Sequence, residues 1–268
     1  MRPTTTALLR HAGVSRGQRC IDIGCGGGHV SQELARRVGS DGSVVGVDLD
    51  ETVLELARAD AQAAGLHNVE FRVGKAQQID GGPYDVAYAR FLLSHVEEPL
   101  SVVRATAEAV NPGGTVIVED IDFSGSFCSP PCPAYQRYVD LYRETVRRRG
   151  GNADIGPLLP SILQAAGLRN VAVAVVQPCG LEGDAKLVSP LTLARIANSV
   201  VAEGVTTTNE VNQTISALYA YHADPTTIMS LPAWCKPGPV ADRVRLRACF
   251  TMRRRRAGAS RRSRSRGA

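Results

Sequence analysis

Asp22, Gly24, Gly26 and Gly28 alternate through the stretch Ile21-Asp22-Ile23-Gly24-Cys25-Gly26-Gly27-Gly28-His29-Val30-Ser31, and this spacing is where the chain carries its clearest chemistry. The apolar run at 19–23 reads as a short buried strand, and Val30, Leu34 and Val38 recur at helical spacing after the glycines. Strand, glycine turn and helix together aim backbone N–H groups and a helix N-terminus at a ligand. Glycine is needed because the chain turns sharply and the ligand must approach the backbone with no Cβ in the way. A dinucleotide loop of the form G-x-G-x-x-G would want its third glycine where His29 or Ser31 stands. A phosphate loop would end in Gly-Lys-Ser/Thr, and the nearest lysine is Lys75. Asp22, two residues before the first glycine, would repel a pyrophosphate and suits a cationic ligand with an amino group.

Further blocks follow in order. They are Ser43-Val44-Val45-Gly46-Val47-Asp48-Leu49-Asp50, Val69-Glu70-Phe71-Arg72-Val73-Gly74-Lys75-Ala76, Pro83-Tyr84-Asp85-Val86-Ala87-Tyr88-Ala89-Arg90 and Asn111-Pro112-Gly113-Gly114. With the glycine loop, these five blocks resemble the class I S-adenosylmethionine (SAM) dependent methyltransferases, and within them the small-molecule group related to ubiquinone and menaquinone C-methyltransferases. The resemblance implies SAM as cofactor. It assigns SAM binding to Asp22, Gly24, Cys25, Gly26 and Gly28, both ribose hydroxyls to Asp48, and the adenine to Leu49 and the backbone near Ala76. Arg90 would meet the methionine portion. Lys75 departs from the family, where an acidic residue often meets the adenine amino group, and reads as solvent-facing. His95, in Leu92-Leu93-Ser94-His95-Val96, stands where relatives often carry histidine, and Glu119, Asp120 and Asp122 end a strand that points at substrate in that fold. His95 and Asp120 are the catalytic candidates; a packed or capping histidine and a loop carboxylate are the alternatives for those positions. No metal ligand set is expected: Cys128-x-x-x-Cys132 has no further ligands near it.

The elements that must position these residues are legible in outline. Helical periodicity covers 3–12, 28–38 and 51–65, a short turn and a longer helix fall between 91 and 110, and a strand is expected at 115–121. Strands alternating with helices imply a parallel sheet. The resulting expectation is an α/β, Rossmann-like, doubly wound and mostly parallel seven-stranded sheet with helices on both faces. After Pro130, Pro131 and Pro133 come helices at 134–148 and 157–166, a strand at 170–177, and two helices at 189–203 and 208–222. The resemblance makes 189–222 a helical lid over the substrate. The methyltransferase domain is expected over residues 1–252, with an N-terminal segment shorter than that of many relatives and an arginine-rich, disordered tail at 253–268. The alternation at 243–250 would suit the seventh strand.

Bulk properties bound the function. The formal net charge of +5 is misleading, because eight arginines fall in residues 253–268 and the remainder carries 23 basic against 26 acidic residues. Nothing in the mildly acidic body advertises a nucleic-acid surface. The tail has the composition of a frameshifted or disordered extension of a GC-rich gene, or of a nucleic-acid or anionic-membrane arm. Seven irregularly spaced cysteines, no apolar leader and no long apolar run suit a reduced, cytoplasmic chain without a membrane span. The function expected is methyl transfer to a small molecule by in-line displacement at the sulfonium methyl. A nucleic-acid methyltransferase and a SAM-binding protein without activity are the other classes, and the residues do not say whether O, C or N accepts the methyl.

Overall fold

The computed structural model describes residues 2–236, so the expectations for 243–250 and 253–268 lie outside the described residues. Five strands run parallel: β1 (Arg19–Ile23), β2 (Ser43–Asp48), β3 (Val69–Val73), β4 (Tyr84–Arg90) and β5 (Val110–Asp122), in the order β3-β2-β1-β4-β5. At the β5 edge the sheet is continued by two short strands, β10 (Ala233–Lys236) and then β7 (Ala174–Val176), joined through antiparallel pairs. The parallel part of the sheet is thus five strands. A separate small sheet has the order β6 (Cys128–Ser129), β9 (Ile228–Ser230), β8 (Cys179–Gly180).

Alternation along the strands decides which helix meets which face. Cys20, Val44, Val86, Tyr88 and Ile117 face α1 (Arg2–His11) and α2 (His29–Val38), packing against Leu8, Leu9, Val30, Leu34 and Val38. On the same side Phe71 packs under Leu54, Ala57 and Ala61 of α3 (Glu51–Ala63). The alternate residues Ile21, Ile23, Val45, Ala87 and Ala89 form the opposite face's cluster. Val118 there joins Val102 and Val103 of α4 (Pro99–Glu108) and Leu159 and Leu163 of α6 (Leu159–Ala165). Such two-sided burial stabilises the sheet by removing apolar area from water on both faces.

The C-terminal half builds a further cluster. Tyr135, Tyr138, Val139 and Leu141 of α5 (Pro133–Arg148) pack with Leu193 and Val200 of α7 (Asp184–Ala202) and Val211 and Leu218 of α8 (Thr208–Ala223). α7 begins before the expected residue 189, because Pro190 lies inside the helix rather than at its first turn, where proline is best tolerated. The expected strand at 170–177 pairs only over 174–176, since Val171 turns instead into the α4–α6 cluster. The stretch 233–236 is a strand that the flanking prolines concealed.

Candidate functional site

The parallel order places the reversal of winding between β1 and β4, where open α/β sheets leave a crevice outside the strands' C-terminal ends. The glycine loop leaves β1 at that point, and Arg90 and Phe91 leave β4 beside it. Gly24, Gly26 and Gly28 all have left-handed backbone, at φ 69°, 50° and 70°. A Cβ on Gly28 would stand 2.7 Å from Phe71 Cζ, so helix α2 can start this close to β3 only with glycine. A Cβ on Gly26 would meet nothing within 4 Å, which leaves that backbone open to an approaching ligand. The Gly24 and Cys25 N–H groups donate to the Val47 carbonyl at 2.8 and 3.0 Å, tying the loop to the end of β2.

Two carboxylates frame the loop. Asp48 Oδ2 accepts from the Gly26 N–H at 2.8 Å and Oδ1 from the Asp50 N–H at 3.2 Å. Each oxygen retains acceptor capacity for a further donor. Asp22 is buried and accepts from Ser31 Oγ at 2.6 Å. Burial pushes its pKa up to about 6, against the opposing pulls of the Ser31 hydrogen bond and the Arg90 charge. The Arg90 guanidinium lies 5.6 Å from the Phe91 ring centroid, and its Nη1 donates to Thr5 Oγ1 at 3.3 Å. Asp22, residues 24–27, His29, Val30, Arg90 and Phe91 line one cleft of about 210 Å³. A larger hollow of about 590 Å³ lies along α4 among Glu98, Arg104 and Glu108, away from the strand ends and their convergent groups.

The structure therefore brings together Asp22, Gly24, Cys25, Gly26 and Arg90 in the cleft wall. Gly28 caps α2 behind the loop. Asp48 touches the loop from outside that cleft, at the end of β2, with Leu49 next to it presenting an exposed side chain. Ala76 packs partly into the sheet core after β3, and Lys75 is exposed, as expected. Cys25 is no nucleophile here: burial, aided by the Asp22 and Asp48 charges, pushes its thiol far up. His29 and Phe91 were missed by sequence reasoning; Phe91 has φ 53°, a left-handed conformation that no local residue pattern announces.

The two catalytic candidates meet at the next strand end but differ in what they can do. Asp120 is fully buried, with Oδ2 accepting from the Ser94 N–H at 3.1 Å and Oδ1 from the Ile121 N–H at 2.9 Å. Burial raises its pKa and the bonds with Ser94 and Ile121 oppose the rise. Such a carboxylate anchors the short 3-10 turn at 93–95 rather than standing free as a base. His95 rides on that turn, its ring edge toward Tyr142 at 6.5 Å between centroids. The residue reaches the surface, yet its ring is sheltered enough for desolvation to hold the pKa below the ordinary histidine value, with Asp120 pulling the other way. Asp122 closes a local turn with Ser124 and is the loop carboxylate foreseen as an alternative. Among the described residues, no group of three or more His, Cys, Asp or Glu side chains is placed to hold a metal ion. No helix of the described residues is long and apolar enough to cross a membrane.

The open Gly26 backbone beside a buried carboxylate suits a ligand that brings a cationic group rather than a phosphate to the crevice. Comparison with known proteins agrees. Residues 14–146 match the family model described as a methyltransferase domain. Over 115 residues the chain is 36% identical to a ubiquinone biosynthesis O-methyltransferase of Acinetobacter baylyi, a match covering 42% of this chain and 47% of that protein. The corresponding enzyme of Bordetella avium is 39% identical over 114 residues, covering 41% and 46%. The chain thus spans about half the length of the curated relatives it matches. A solved phosphoethanolamine N-methyltransferase 2 of Haemonchus contortus, in complex with SAM, shares the fold at TM-score 0.54 and 18% identity, over 88% of this chain and 52% of that one.

Proposed function

We propose, from the premise that residues 14–146 belong to the methyltransferase domain family, that this chain is a SAM-dependent methyltransferase with a small-molecule acceptor. The observation that carries the reading is Asp22: a carboxylate buried in the wall of the glycine-loop cleft, where no pyrophosphate could be tolerated. Asp22 and Arg90 would address the ammonium and carboxylate of the cofactor's amino-acid end, and residues 24–28 its backbone-facing edge. Asp48 would accept the ribose hydroxyls while keeping its bond to Gly26, and Leu49 and the backbone near Ala76 would border the adenine. Bound there, the cofactor supplies a methyl group on a sulfonium with a neutral thioether as leaving group.

What remains for the protein is to hold a nucleophile in line and to exclude water. His95 is neutral near pH 7 and would take a proton from an acceptor such as a phenol, while Asp120 keeps the 93–95 turn in place. The α7–α8 pair would be the substrate lid over residues 189–222, since its cluster packs against Phe91, which also lines the cleft. We read the two antiparallel strands as completing a seven-stranded sheet, and the chain as a cytoplasmic enzyme. O-methylation is favoured over C- or N-methylation by the names of the curated relatives. The test is transfer of labelled methyl from SAM to a panel of phenols, quinols, amines and RNA. The reading expects product on a phenolic or quinol acceptor. Product on RNA alone would replace it with nucleic-acid methylation, and SAM binding with no product on any acceptor would leave a binding protein without activity.

A further inference from the structure

Behind the cleft lies a second polar group for which the mechanism has no use. Glu119 of β5 is 1% exposed, and its Oε2 accepts from the Tyr88 hydroxyl and, at 3.4 Å, from Thr5 Oγ1 of α1. Its Oε1 has no hydrogen-bond partner among the described residues. The strand registers place these groups in a row on one face of the sheet. Asp22 stands opposite Tyr88 across β1 and β4, and Arg90 stands opposite Glu119 across β4 and β5. Thr5 closes the row from α1, donating to Glu119 and accepting from Arg90 Nη1 at 3.3 Å. A relay therefore runs from a buried carboxylate through one hydroxyl to the guanidinium in the cleft wall.

Stability does not account for this arrangement. A buried carboxylate with an unpaired oxygen is costly, and an apolar residue of similar size in that place would pack without the penalty. Nor is α1 in need of it, because Leu8 and Leu9 already dock the helix in the apolar cluster with Leu34 and Tyr88. We propose that Glu119 is a positioning residue, which through Thr5 orients the Arg90 guanidinium toward the amino-acid end of the bound cofactor. This rests on the cofactor assignment made above. Glu119 itself touches neither cofactor nor acceptor. Its effect is to keep a long, rotamer-rich side chain in one orientation, so that the ordering cost is met before the ligand arrives.

The claim separates from a merely structural role by comparing two ligands. S-adenosylhomocysteine carries the amino-acid end; 5′-methylthioadenosine has the same adenosine and thioether but lacks it. In the full chain, Glu119→Gln and Thr5→Val are each expected to weaken S-adenosylhomocysteine about tenfold, the size of one charge-assisted hydrogen bond. Methylthioadenosine should bind as it does to the unaltered chain, and Thr5→Ser, which keeps the hydroxyl, should restore the loss. Calorimetric titration reads all of these without turnover. Equal weakening of both ligands, or no change in either, would overturn the inference and leave Glu119 a structural residue. If Glu119→Gln fails to fold, Thr5→Val and Thr5→Ser decide the matter alone, since neither alters a buried charge. An unaltered chain that binds neither ligand would instead sink the cofactor assignment, and this inference with it.

Discussion

Asp22 is held where an ionised carboxylate is least comfortable, and that discomfort has consequences for both stability and binding. Its pKa of about 6 in the fold exceeds the ordinary 3.8, so between those values the folded chain binds more protons than the unfolded one. Stability contributed by this group is therefore present at low pH and is lost as pH rises through about 6, a cost of roughly 2–3 kcal/mol at neutral pH. Asp22→Asn, which keeps an oxygen for Ser31 to donate to, is expected to raise the melting temperature of the ligand-free chain at pH 7.5. The same change should shrink the thermal shift produced by S-adenosylhomocysteine. In the unaltered chain, affinity for that ligand should fall about tenfold between pH 7.5 and 5 as the carboxylate is neutralised, and the variant should show a flat profile. A variant with undiminished affinity would remove Asp22 from the site.

Asp48 makes a different bet, because it holds the loop and awaits a ligand with the same carboxylate. Asp48→Ala is expected to weaken S-adenosylhomocysteine by roughly 1–3 kcal/mol through loss of a charged acceptor. Asp48→Asn retains an acceptor for the Gly26 N–H and should leave the melting temperature near that of the unaltered chain. A full loss of affinity in that variant would then isolate the charge. Unchanged affinity in Asp48→Ala, measured by the same titration, would mean that the ribose is bound elsewhere.

At the level of elements, the glycine loop and the α7–α8 pair each have a fastening that can be cut. Gly28→Ala places a methyl against Phe71 and Ala57 in a left-handed backbone and should cost about 2–4 kcal/mol of stability. Gly26→Ala meets no neighbour, so denaturant unfolding should show a loss of only about 1 kcal/mol, while the new methyl blocks the ligand's approach. Equal destabilisation by the two substitutions would contradict this division between packing and binding. The α7–α8 pair is fastened by Lys186, fully buried at the start of α7. Its ammonium donates to the carbonyls of Leu181 and Asp224 and to Thr227 Oγ1 at 2.9, 2.7 and 2.7 Å, and lies 5.7 Å from the Tyr221 ring centroid. Asp224 is the C-cap residue of α8, so its carbonyl lies at the helix C-terminus, where a positive charge is favoured. Lys186→Met would strand these acceptors and is expected to cost about 2–4 kcal/mol. Trypsin should then cut at Arg195, which the unaltered chain should resist; equal resistance in the two would show that the fastening lies elsewhere.

For the whole molecule, what could be read in advance was what short range determines. Strands β1 to β4, the glycine loop and helices α2 and α3 follow from alternation, glycine placement and 3.6-residue spacing within windows of a dozen residues. Asp120 was legible as a residue at the right strand end, but its role depends on the Ser94 N–H, 26 residues away in sequence. The Thr5–Glu119 bond joins positions 114 apart and leaves no local trace. The outer strands were legible only in part for a related reason: 174–176 lies within the strand expected at 170–177, whereas 233–236 is short and becomes a strand by pairing with β5 and β7. Pro190 misdated the start of α7 because proline is a better marker of helix starts than of helix interiors.

The central claim is that the β1–α2 crevice takes an adenosine that carries an amino-acid arm, as SAM and its demethylated product do, and rejects dinucleotides. Titration of the full chain with S-adenosylhomocysteine and, separately, with NAD tests it most directly. One-to-one binding of S-adenosylhomocysteine, a rise in melting temperature that grows with its concentration, and no heat with NAD are the results the account predicts. Binding of NAD with none of S-adenosylhomocysteine would contradict it.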